Sequence, residues 1–137
     1  MIRGSRILSL AVVLAATITS AEPGAPPLPI PAASDVDYIA VSGAAHETVI
    51  RDPRAIAQFV AFLSARNTDW RKPWGTFPTP EWTIRLVSRR DDHLLLWLGS
   101  NWLGGREGQA AAKNNRLRSL SQKEHDEALK MLGAARP

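Results

Sequence analysis

Five consecutive apolar residues, Leu94-Leu95-Leu96-Trp97-Leu98, constrain this chain more than any other feature in it. A run this short is too brief for a helix of ordinary length and suits an interior strand covered on both faces. Left at an exposed edge, it would invite aggregation. Just upstream, Trp82, Ile84 and Leu86 alternate with Thr83 and Arg85, the period-two pattern of a strand with one buried face. The charged segment Arg89-Arg90-Asp91-Asp92 separates the two, so Glu81–Gly99 reads as a hairpin. The rest of the chain must supply what covers it.

The first residues are an address. Arg3 and Arg6 precede the apolar run Ile7–Ile18, which ends in the small residues Thr19-Ser20-Ala21. This is the pattern of a secretory signal peptide, with cleavage expected after Ala21. The apolar run falls short of the ~20 residues a bilayer span needs, and no later run reaches that length. The chain therefore divides into a signal peptide (1–21), a proline-rich linker (22–34), one domain (35–133) and a short tail (134–137). With no cysteine, there is no disulfide and no lipid-anchored thiol, so the domain must hold by core packing alone. Without Arg3 and Arg6, 15 basic residues face 13 acidic ones. That near balance, with both signs interspersed, does not predict nucleic-acid binding.

Glu22–Ala33 carries five prolines in twelve residues and reads as an extended spacer. Asp37–Ser42 is a first strand, with Glu47–Ile50 returning beside it. Asp52-Pro53 opens a helix: aspartate accepts from free amides at the N-cap and proline fits the first helical position. Ile56, Phe59, Val60 and Leu63 then form one apolar stripe, and Asn67 is expected to be the left-handed stop. A glycine-rich stretch, Ser100–Gly108, holds a short strand, and a further edge strand is expected near Asn115–Ser119. Ser121 and Glu124 match a capping box before a last helix that turns Ala128, Leu129 and Leu132 inward. The expected fold is α+β: a mainly antiparallel sheet of four or five strands with helices at 53–66 and 121–132.

The long connection Thr68–Pro80 holds the candidate ligand-binding residues Trp70, Arg71, Trp74 and Phe77. Rigid aromatics flanked by cations can stack on sugar rings or fill a pocket on a protein partner. The competing reading folds these rings back as a lid on the core. His46, His93 and His125 show no metal-ligand spacing and read as solvated. No nucleophile elbow, reactive thiol or phosphate-binding loop is present, and no motif requires a metal or cofactor.

The order of an Asp52-Pro53 helix bearing Phe59, Phe62 and Leu63, then Trp70, Pro73-Trp74 and Pro78, a hairpin, and Leu120-Ser121 with Glu124 resembles small exported bacterial domains of uncharacterised function. The resemblance spans about residues 50–132 and carries no activity onto any residue. It implies a periplasmic or secreted protein. The expected role is a non-enzymatic envelope binding module whose partner is an envelope protein or cell-wall glycan. The alternative is a small periplasmic hydrolase or transferase with a histidine–carboxylate site assembled by the fold.

Overall fold

The computed structural model describes residues 21–44, 46–73, 77–90, 93–108 and 114–133; the expected signal peptide, apart from its last residue Ala21, and the C-terminal tail lie outside these residues. The elements are β1 (Ala21–Pro23), a single 3₁₀ turn (Ala33–Asp35), β2 (Val36–Gly43), β3 (His46–Ile50), α1 (Pro53–Ala65), β4 (Arg71–Pro73), β5 (Trp82–Ser88), β6 (His93–Leu98), β7 (Trp102–Glu107), β8 (Arg116–Ser119) and α2 (Gln122–Met131). All strands join one antiparallel sheet in the order β1-β4-β8-β7-β6-β5-β2-β3. The α+β class stands, but the sheet is larger than four or five strands. Seven run between Val36 and Ser119, and the three-residue β1 extends one edge. The strand hardest to foresee is β4, a short Arg-Lys-Pro segment without alternation that joins β8 at a single position, Arg71 opposite Leu117. In consequence β8, expected at an edge, lies inside the sheet.

Register sorts the side chains onto two faces. Ile39 and Val41, Ile84 and Leu86, Leu94, Leu96 and Leu98, and Leu103 share one face and are buried there with Phe59, Phe62 and Leu63 of α1 and Ala128 and Leu129 of α2. Both helices therefore cover that face. On β6 the odd positions, His93, Leu95 and Trp97, point the other way and are only half-buried. The expected burial on both faces is thus unequal.

Path length explains the long loop. From β4 the chain must reach β5, four strand spacings away, roughly 19 Å across the sheet. While α1 crosses on the core face, Phe77 of the return connection lies on the opposite face, edge-on to Trp97 and Trp102 with ring centroids 5.0 and 5.3 Å away.

Both helices start as their sequences dictate. Asp52 accepts from the Arg54 amide, and Ser121 and Glu124 close a reciprocal capping box. Arg66 then ties the helices together. Its Nε lies 2.6 Å from Glu124 Oε2, and its guanidinium sits 3.9 Å above the Phe62 ring. The left-handed residue after α1 is Asp69 (φ 61°), not Asn67. The Asn67 side chain works as a clasp instead: Oδ1 accepts from the Leu28 amide and the Trp70 indole, and Nδ2 donates to the Leu28 carbonyl, each at 2.8 Å.

That clasp revises the proline-rich segment. Glu22–Ala33 is no free spacer: Leu28 is 3 % exposed and belongs to the core, with Ala25 and Ile30 packed beside it. Prolines deny the segment most ladder bonds, so side chains from the domain supply the anchors. Arg116 Nε donates to the Pro26 carbonyl at 2.7 Å, and the Asn67 amide holds Leu28 on both sides. Adjacent glycines make the seats. A Cβ at Gly105 would lie 2.8 Å from a Leu28 methyl on the core face, and one at Gly104 would lie 2.8 Å from the Phe77 ring on the other. Each glycine admits one crossing segment.

Candidate functional site

Of the sequence-nominated residues that the structure describes, Trp70 is separated by the sheet from Arg71 and Phe77. Trp70 is 3 % exposed, packed in the core with its indole N–H on Asn67. Arg71 lies half-buried in β4, and register places it on the face away from the helices. Phe77 fills the Gly104 seat between Trp97 and Trp102, while Trp74 lies outside the described residues. Trp70 thus has no free ring face for a ligand, and Phe77 is spent on holding the crossing loop.

Concavity appears elsewhere. A cleft of about 380 Å³ opens between the proline-rich arm and the β5–β6 hairpin. Pro29 and Pro31 line one side, and Leu86 and Leu94 supply apolar floor. Around them stand Arg89, Arg90, His93, Asp35 and Glu107. The volume lies at the lower end of the range for small-molecule sites, about 300–1,000 Å³. Its frame is tied by backbone bonds: the Arg89 amide donates to the Asp35 carbonyl at 3.0 Å, and the Gly108 amide to the His93 carbonyl at 2.9 Å. Gly108 matters sterically as well, because a Cβ there would collide with the His93 imidazole.

Glu107 is neutralised in place. Arg116, 6 % exposed, reaches its two carboxylate oxygens at 3.0 and 3.3 Å while also donating to the carbonyls of Pro26 and Asn114. The Arg116 hydrogen bond holds the Glu107 carboxyl below its usual 4.5, against a smaller opposing effect of burial. Glu124 is lowered too, first by the Ser121 amide and then, against burial, by Arg66. A carboxylate depressed on folding contributes stability above its unfolded pKa and loses it as pH falls through the folded one. Stability should therefore decline below about pH 4.5. Replacing Arg116 with methionine is expected to cost about 2 kcal/mol at neutral pH, through lost charged hydrogen bonds, and to flatten part of that acid decline. Urea unfolding at pH 7 and pH 3.5 measures both.

The histidines part company. His46 is exposed on β3, and His93 lies at the cleft. His125, expected on a solvated helix face, is 8 % exposed, with Nε2 3.4 Å from Glu81 Oε1 and Nδ1 3.5 Å from Asp126. The α2 stripe explains this correction: His125 precedes Ala128, Leu129 and Leu132 by three, four and seven residues and so shares their inward face. Among the described residues no three histidine, aspartate or glutamate side chains are grouped to hold a metal ion, and no described helix is long and apolar enough to cross a membrane.

No protein-family model, no curated protein and no solved structure matches the chain. The cleft was not visible in sequence, because its wall comes from a proline tract that composition marks as a spacer. The readable trace was Leu28 and Ile30, two large apolar residues that a free linker has no use for.

Proposed function

We propose that this chain is an exported, non-enzymatic binding module of the bacterial envelope. Its ligand is a carboxylate-bearing glycan or peptide fragment held in the cleft beside Pro29 and Pro31. The observation that carries this reading is the pairing of an apolar floor with a cationic rim. Arg116 neutralises Glu107, so Arg89 and Arg90 outweigh Asp35 among the described lining residues. An apolar surface with a few convergent charges selects a ligand that has an apolar body and an anionic group. The signal-peptide pattern supports an envelope source for that ligand.

Titration of the isotope-labelled chain with soluble cell-wall fragments tests it. Methyl resonances of Leu86 and Leu94 and the amides of Ser88 and Gly108 should shift together and saturate. Shifts confined to Trp97 and Trp102 would move the site to the opposite face. A second reading, a small hydrolase or transferase, would use His93, which lines the cleft with Asp35 and Glu107, although its side chain lies on the opposite face of the sheet from Leu94 and Glu107 is held by Arg116. Cleavage of the bound fragment, lost in His93→Ala, would favour it over simple binding.

A further inference from the structure

The free edge of the sheet is built to pair. Among the described residues no strand lies beyond β3, and four of its five residues are exposed. It contains no proline, no lysine and no bulge, the usual devices that protect an edge. Val49, 46 % exposed, is the most exposed large hydrophobic residue described. Gly43 opposite His46 closes a two-residue loop, so His46, Thr48 and Ile50 exchange hydrogen bonds with β2. Glu47 and Val49 then direct their backbone N–H and C=O groups outward, away from the sheet.

We propose that β3 pairs with β3 of a second copy of this chain, antiparallel about a two-fold axis at Val49, joining two sheets into one. Only registers that set outward-directed residues opposite one another are open, because a one-residue slip turns every side chain to the wrong face. Among these, centring on Val49 places Val49 against its own copy and Glu47 opposite Arg51 of the other chain, twice by symmetry. Centring on Thr48 would set Glu47 against Val49. Both the apolar match and the charge match select the first. Arg51 is held on the correct side: its guanidinium lies 4.9 Å over the Tyr38 ring, and Tyr38 shares the face of Glu47 and Val49. The occupant is a second copy because this register is self-complementary, as a two-fold interface requires. An interface of two five-residue strands is small, so association is weak and concentration-dependent.

Sedimentation equilibrium over a concentration series tests the proposal, using the processed chain from Glu22 onward, which retains both helices, strands β2–β8 and the core. The wild-type chain should move from monomer to twice its mass. Val49→Lys, Glu47→Arg and Arg51→Glu should each weaken association at least ten-fold, with the monomer still folded: these side chains are exposed, and Arg51→Glu gives up only a surface contact with the Tyr38 ring. The double variant Glu47→Arg/Arg51→Glu should recover the dimer, since the charge pair is only reversed. A chain that stays monomeric at every concentration overturns the proposal. So does a dimer indifferent to Val49→Lys, or a double variant that fails to recover.

Discussion

Trp70→Ala should lower the stability of the domain by about 3–5 kcal/mol, a large fraction of what a domain of this size possesses. The ring is 3 % exposed and part of the main core. Its removal opens a cavity beneath α1 and the proline-rich arm. It also removes one of the two N–H donors to Asn67 Oδ1, loosening the clasp on Leu28. Urea unfolding with an unchanged m-value is the check. A cost below about 1 kcal/mol would show that the ring is dispensable for packing and return Trp70 to the candidate ligand surface.

The second large effect concerns the arm. Leu28→Ala should cost about 2–4 kcal/mol, as expected for truncating a core leucine. Such a loss is unavailable to a free tether. It should also expose the arm to proteases between Gly24 and Pro31, because Leu28 and the Asn67 clasp fix that stretch. Gly105→Ala acts on the same contact from below, where a Cβ would press on Leu28 and Leu96 at 2.8 and 2.9 Å. It should release the arm in the same assay. Full stability in Leu28→Ala would mean that the domain begins at residue 35 and that the cleft lacks its proline wall.

Local rules made the helices legible. Asp52-Pro53 and the Ser121–Glu124 box are short-range chemistry, and the apolar stripe of α1 faces the core as its spacing requires. The alternation of Ile84 and Leu86 likewise fixes the face of β5. Elsewhere a distant partner or a longer-range pattern decides the outcome. Asn67 has the backbone preference of a stop, yet its amide is claimed by Leu28, 39 positions away. The charged neighbours of His125 point to solvent, while helical periodicity turns it inward. Trp70 and Phe77 looked like one aromatic surface because they are close in sequence, but the sheet puts them on opposite faces. The cleft depends on the proline arm folding back, which no local pattern encodes.

Calorimetric titration with soluble cell-wall fragments tests the proposed occupancy of the cleft. The wild-type chain should give a saturable heat. Pro31→Trp, which places a large ring over the Leu86–Leu94 floor from the proline side, should lose that heat while still unfolding as one cooperative domain. Equal binding by the plugged variant, or no heat from the wild type with any fragment, would mean that the cleft is not a ligand site.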